Sequence, residues 1–350
     1  MLPTSDRRHV DWRCHAVYPT GRVVEITGPR GTLDWDEDSA SVAGGRVSTT
    51  VDPGDLIGAR LYPVKVLNGV AYQMGEYAAT AVKPQYGITP SWQIDLIDLS
   101  VIAARTRLQS PLSLPRGSHI VSAVRRRLGA LGLDIAIADA SETLRVPIAW
   151  DVGADELTVA NDLLSAAGLG PVRANGMRLA SERRRDPGSM ADMWRMDEAN
   201  GVQVIDYSVD SDHLAIPNRV VGVAAGDGDT VPPLRAVAAD ERSTRWSWAA
   251  RGGAWVDAEP IRSDAASQAV LEAEVWAWLR RRQSSMRVTV EHLWDPDIRI
   301  GTAGWLTSEK WPLLSGRYIV AATSIGMDFD ALAPSSLRRW DGWISFVAAP

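Results

Sequence analysis

Few side chains in this sequence are placed to do chemistry. The five histidines, at positions 9, 15, 119, 213 and 292, form no pair with metal-ligand spacing, and neither H-E-x-x-H nor C-x-x-C occurs. The one cysteine, Cys14, lies beside His15 in DWRCHAVY. On an extended strand those adjacent side chains point to opposite faces, so bland burial of Cys14 ranks ahead of a nucleophilic role. His292 falls in a predicted strand with Met286, Val288 and Val290 on the same face, where a satisfied core or surface histidine is expected. G-x-S-x-G, the phosphate-binding P-loop and a G-x-G-x-x-G after a strand are all absent.

Carboxylates cluster at Asp34-Trp35-Asp36-Glu37-Asp38, at Asp210 with Asp212, and at Asp227 with Asp229. Alternate oxygen ligands can hold calcium, and paired carboxylates can serve glycoside hydrolysis. None carries the full calcium loop with its glycine and distal glutamate, so solubility is the leading reading. The arginine triplets 125–127, 183–185 and 280–282 are each read as solvated faces before local anion sites. Ten of the 15 tryptophans lie from Trp246 onward. Trp246 and Trp248, on a predicted strand 244–248, would share one face; core filling ranks first for them, a subunit interface second and sugar stacking third. No catalytic, cofactor-binding or metal residue is assigned, and no cofactor is expected.

The chain has 350 residues, which suggests two or three domains. Its 45% hydrophobic and 23% charged residues fit a folded globular protein. Net charge is −6, a poor balance for a general duplex-DNA binder, so no stable nucleic-acid binding is expected. Among the 37 basic residues only Lys65, Lys83 and Lys310 are lysines. No apolar run is long enough to span a membrane, and the first residues lack the apolar core of a secretory signal. No membrane anchor is expected, and the chain is expected to be made in the cytoplasm.

The elements that must position these residues are mostly strands. Strands are predicted at 23–26, 47–51, 56–67, 70–82 and 92–96, with a hairpin turn at Asn68-Gly69. Helices follow from Ser118, as N-cap, to near Gly132, and from about 154 to 167 with Gly168 as the stop; a strand at 144–150 separates them. Further strands are expected at 202–207, 218–225, 244–248 and 254–256. The clearest helix runs from about 264 to 282, capped by Ser263 or Asp264, with Val270, Leu271, Val275, Trp278 and Leu279 on one stripe. Strands at 286–294, 299–305 and 317–325, and a last one within 337–347, close the chain. No fixed-period repeat is visible. The expected fold is β-rich α+β: two small antiparallel β-barrel-like domains with an inserted or intervening α+β segment. The expected divisions are an N-terminal barrel at 1–110, an α+β domain with two helices at 111–200, and a β-rich domain carrying one long helix at 201–350.

In that order the chain resembles the phage tail hub family: baseplate hub proteins of contractile-tailed phages and the N-terminal part of tail-associated proteins of siphophages. The landmarks are VDPGDLIGARLYPV (Val51–Val64), WQIDLIDLSVIA (Trp92–Ala103), the helix within Ser113–Leu133, and the W-x-x-G step opening Trp150–Leu179. The long helix and following strands of Ser263–Leu306, the G-x-Y-I-V strand within Ser315–Phe329, and the pair Arg338-Arg339 complete them. Two departures stand out: the acidic run 34–38, and the expectation that no C-terminal peptidase, lysozyme-like or receptor-binding extension is carried.

The resemblance implies a non-enzymatic virion protein of the tail tip, assembled in the host cytoplasm. It implies a homotrimer whose subunits each contribute two related barrels to a pseudo-sixfold ring around the DNA exit path. Its partners would be itself, a distal tail or tail tube protein, the tape measure protein, and fibre or spike proteins. The alternatives are a tail-borne cell-wall hydrolase and a carbohydrate-binding receptor protein.

Overall fold

Strand β1 (Val10–Val17) buries every second side chain, Val10, Trp12, Cys14 and Ala16, as a strand with one packed face must. The computed structural model describes residues 9–37, 43–175, 178–183, 190–198, 201–209, 215–226, 230–284, 286–327 and 332–339. Seven more strands surround the same core: β2 (Val23–Ile26), β3 (Arg30–Asp36), β4 (Ala43–Thr49), β5 (Arg60–Leu67), β6 (Val70–Gln73), β7 (Tyr77–Gln85) and β8 (Ser91–Asp98). Their hydrogen-bonded order is β3-β4-β8-β7-β5-β1-β2, with β6 on β5. Leu33, Val47, Leu61, Tyr77 and Ile94 fill this first barrel. Asn68 and Gly69 adopt φ 51° and 83°, the turn that a two-residue hairpin requires, so Leu67 pairs with Val70. The arm predicted over 70–82 is broken at Gly75, whose φ of 134° ends β6 and lets β7 start afresh.

An α+β segment follows: α1 (Ser100–Arg105), β9 (Leu112–Leu114), α2 (Ile120–Ala130), β10 (Ile135–Ile137), β11 (Ile148–Trp150), α3 (Glu156–Ala166), β12 (Arg173–Asn175) and β13 (Arg178–Ser181). Helices α2 and α3 pack on one another through Ile120, Val124, Leu128, Val159, Leu163 and Leu164. Asp155 caps α3 by accepting from the Thr158 amide at 2.7 Å. The cap of α2 is His119 rather than Ser118: His119 Nδ1 accepts from the Ser122 amide at 3.3 Å. The Ser118 amide instead donates to the Pro115 carbonyl, and the Ser118 carbonyl accepts from the Leu144 amide.

Strands β14 (Asp192–Asp197) and β15 (Gln203–Val209) open the second barrel. A separate layer then interrupts it: β16 (Arg219–Ala224), β17 (Leu234–Ala239) and β18 (Ile261–Ser263), covered by α4 (Gln268–Gln283). Val270, Leu271, Val275 and Leu279 of α4 meet Val220, Ala224, Ala236 and Ala238. Gly222 permits that approach, since a Cβ there would stand 2.2 Å from Val275 Cγ2. The cap of α4 is Ser267, accepting from the Val270 amide at 3.3 Å, because the Ser263 hydroxyl is engaged by Glu274 and the Ala265 amide. The barrel is completed by β19 (Met286–His292), β20 (Ala303–Thr307), β21 (Gly316–Gly326) and β22 (Ala333–Arg339), in the order β14-β20-β21-β22-β19-β15. Met196, Val288, Val290, Leu306, Tyr318, Val320 and Leu337 form its core.

The strand predicted at 244–248 is a run of turns. The Asp240 carboxylate accepts from the Ser243 amide and the Thr244 hydroxyl, and Thr244 Oγ1 accepts from the Trp246 amide. These local bonds replace a strand ladder. The stretch 254–256 is also irregular, with only a bridge from Asp257 to Arg219. The final strand lies at 333–339, and the rest of its predicted span, 340–347, is outside the described residues.

Candidate assembly surfaces

At 11 residues, β21 is longer than its own barrel requires. Its first half pairs with β20, from Leu306 opposite Gly316 to Ala303 opposite Ile319. Its second half pairs with β3 of the first barrel, from Ala322 opposite Asp36 to Gly326 opposite Thr32. The Glu37 amide donating to the Ala321 carbonyl, and the Met327 amide donating to the Gly31 carbonyl, extend this ladder at both ends. Ile325, Met327 and Ala333 are buried in the first barrel's core, so the second barrel plugs the first with apolar side chains. Trp294, just past β19, enters the same core edge-on to Tyr72 at 5.1 Å, with the Lys65 ammonium 4.7 Å over its ring. Arg338 on β22 reaches Glu37 at 2.6 Å in an ion pair that is 12% and 11% exposed. Through this joint the two barrels become one 14-stranded sheet.

The barrels are structural repeats. Strands β1, β3, β4, β5, β7 and β8 correspond in chain order to β14, β15, β19, β20, β21 and β22, and the spatial order is the same in each set. Register agrees as well. Ala78 pairs with Arg60 and with Ile97, as Ile319 pairs with Ala303 and with Arg338. In β7 the ladder to β8 slips between Ala79 and Ala81, and in β21 the ladder to β22 slips at the matching place, between Val320 and Ala322. Tyr77 and Tyr318 occupy one equivalent position, both fully buried, their hydroxyls donating to the Met74 and Leu314 carbonyls. One rung differs: β1 is antiparallel to β5, whereas β14 is parallel to β20.

Most residues singled out from the sequence serve packing. Cys14 is fully buried, and burial pushes its thiol up to about 12, so it stays protonated at neutral pH. The His119 ring caps a helix, as above. Arg127 donates to Glu156 through Nε and Nη2, at 2.7 and 2.5 Å, and Arg125 reaches the Ile137 carbonyl at 3.3 Å. Arg280 to Arg282 close the last turn of α4, where cations complement the helix dipole, and Arg280 and Arg282 lie over Trp276 and Trp278. Arg183 donates to the Asp139 carbonyl at 2.7 Å, while Arg184 and Arg185 lie outside the described residues. Asp34 to Glu37 belong to the joint; Asp38, Asp210, Asp212, His213, Asp227, Asp229, Trp340 and Trp343 lie outside the described residues. Among the described residues no group of three metal-capable side chains occurs, and no helix is long and apolar enough to cross a membrane.

Trp246 and Trp248 do not form a platform. Trp246 is buried beneath Arg245 and Arg251, and Trp248 tilts against Trp255 at 6.1 Å. Arg338 and Arg339 divide their work: Arg338 spans the joint, and Arg339 holds the Leu313 and Ser315 carbonyls at 2.6 and 3.1 Å. The sequence predicts neither strand β3 nor the joint that Trp294 and the second half of β21 make with it, because nothing local marks a strand pairing almost 300 residues apart in the chain.

His292 shares its strand's buried face with Met286, Val288 and Val290, as the alternation predicts. Its Nδ1 lies 2.9 Å from the Leu293 carbonyl and its Nε2 lies 2.8 Å from Ser335 Oγ. Nδ1 donates to the Leu293 carbonyl, and Ser335 Oγ bonds in turn to Thr323 Oγ1 at 2.9 Å. Burial holds the imidazole below its ordinary 6.5. The unfolded chain therefore takes up a proton that the folded chain does not, and stability is lost as pH falls below that value. Urea midpoints measured at about pH 7.5 and about pH 5.5 should fall further for the native chain than for His292→Gln.

No protein-family model matches the sequence, and no curated protein is similar to it in sequence. Solved structures are similar in fold. A tail protein from Neisseria meningitidis superposes with a TM-score of 0.66 at 12% identity, covering 95% of this chain and 98% of that one. A 43 kDa tail protein of a Shewanella oneidensis prophage gives 0.65 at 10% identity, covering 95% and 99%. A prophage tail protein from Listeria monocytogenes gives 0.59 at 12% identity, covering 95% and 96%. The chain has the fold of phage tail proteins. Within that fold it is a β-rich α+β chain of two barrels with an α+β segment between them.

Proposed function

We propose that this chain is a non-enzymatic structural subunit of a phage tail tip or baseplate hub. Three copies would form a ring joining a tail tube or distal tail protein to fibre or spike proteins, around the DNA exit path. The observation that carries this reading is the repeat: one chain holds two barrels of equal strand order, coupled through a shared strand. Three such chains present six similar lobes, which suits a junction between a sixfold tube and a threefold spike. Head-to-tail contacts close into a ring when the rotation per contact fits. A net charge of −6 also suits a wall past which DNA must slide without sticking.

Antibody raised against the chain and imaged on assembled particles tests the assignment. The expected label sits at the tail end distal to the capsid. Label elsewhere on the particle, or a lytic band from the purified chain in a cell-wall zymogram, would defeat it.

A further inference from the structure

The joint inside one chain has two free counterparts in the same sheet, the outer edge of its terminal strand and the far half of an internal strand. In the joint, β21 receives β3. The equivalent of β21 is β7, and the equivalent of β3 is β15. Strand β15 is the last in the sheet path, with one edge unpaired among the described residues. Beyond Ala78, β7 pairs among the described residues only with β8, leaving the side on which β21 receives β3 open there. We propose that neighbouring copies of this chain join by seating β15 of one against β7 of the next, repeating the intrachain joint. This rests on the ring reading above and names the surfaces that make the ring.

Register fixes the contact. Ser324 lies opposite Asp34 in the joint, and the equivalent positions are Lys83 and Ser208. Met327, whose side chain is buried in the first barrel, corresponds to Tyr86, which is 86% exposed in the isolated chain. Trp294, the other plug, corresponds to Val51, which is 51% exposed. On the receiving strand, Leu33 is fully buried where its equivalent Tyr207 is 49% exposed. Three positions that are core in the joint, those of Met327, Trp294 and Leu33, are thus apolar and uncovered on the two free faces, as an unformed interface of the same design requires.

The free edge is also guarded. Pro84, at the place of Ile325, has no N–H to offer, and Lys83 precedes it; both are devices that keep an exposed strand from pairing indiscriminately. The ladder between copies is therefore shorter than the one within the chain, and Tyr86 carries more of the contact.

The test is a disulfide. The chain carrying Lys83→Cys and Ser208→Cys is purified and oxidised; Cys14, fully buried, gives no background. Within one chain six strands separate the two cysteines, at about 4.8 Å per step. An intrachain bond would also leave the mass at that of one copy. The expected product is a reducible covalent ladder that stops at three copies, with none from either single variant. A three-copy species by native mass spectrometry that does not crosslink overturns the joint and leaves the ring standing. A chain that neither assembles nor crosslinks overturns the ring reading itself. As a second readout, Tyr86→Ser should weaken association by about 30-fold or more, the loss expected of a hot spot, and leave the monomer's melting temperature unchanged. Unchanged association would contradict the proposal.

Discussion

Arg338→Ala should destabilise the chain by about 3–5 kcal/mol, the cost of leaving one member of a buried ion pair alone. Arg338 stands on the second barrel and Glu37 on the first, 2.6 Å apart, and both are close to nine-tenths covered. Removing the guanidinium strands a carboxylate where water cannot reach it well. The double variant Arg338→Met with Glu37→Leu removes the charge on both sides and should recover most of the loss, because an apolar pair of similar volume needs no solvation. Equilibrium urea denaturation of the three proteins measures this. A single variant with native stability would mean that the joint does not hold this pair together.

Gly31→Ala should cost about 3 kcal/mol or more, combining left-side backbone strain with a steric clash. Gly31 sits on β3 with φ at 136°, and a Cβ there would stand 1.9 Å from the Arg46 carbonyl oxygen of β4. Because that atom is backbone, neither strand can yield without breaking its ladder. The Gly31 carbonyl also accepts from the Met327 amide, so displacement of β3 pulls on the joint. Thr32→Ala, one residue along at an ordinary strand position, serves as the control and should cost little. Thermal unfolding of both variants provides the comparison, and equal midpoints would refute the strain argument.

Both effects lie in a part of the molecule that sequence reading saw poorly, and the reasons are physical. Local patterns were legible where one face packs: the alternation through Ile94 and Leu96, the Asn68-Gly69 turn, and the apolar stripes of α3 and α4 all correspond to formed elements. Gly168 ends α3 with φ at 70°, as a C-terminal glycine should. Strand β3 was hidden because Asp34 and Asp36 alternate with Leu33 and Trp35, and an acidic run reads as a solvated loop. The stretch 244–248 misled in the opposite direction: Trp246 and Trp248 have the spacing of a strand face, but Asp240 and Thr244 hold the backbone in turns.

The candidate surfaces were less legible still. The repeat is one of strand order and register, and at positions such as Tyr86 and Met327, or Val51 and Trp294, only general apolar character is shared. Tyr77 and Tyr318 are an identical pair, yet two tyrosines so far apart in the chain carry no signal by themselves. The pairing of β21 with β3 depends on which edge a long strand finds after both barrels have formed, and no window of sequence encodes that choice locally. Resemblance in the order of elements implied two related barrels, which periodicity could not, but not the strand that joins them.

The central claim is that equivalent barrels, two per chain, are the building blocks of a closed ring. Single-particle electron microscopy of the purified protein addresses it directly. The predicted particle contains three copies of the 38.0 kDa chain and shows six lobes around an open centre. A population of single chains at micromolar concentration, or an open filament of repeating copies, would contradict it.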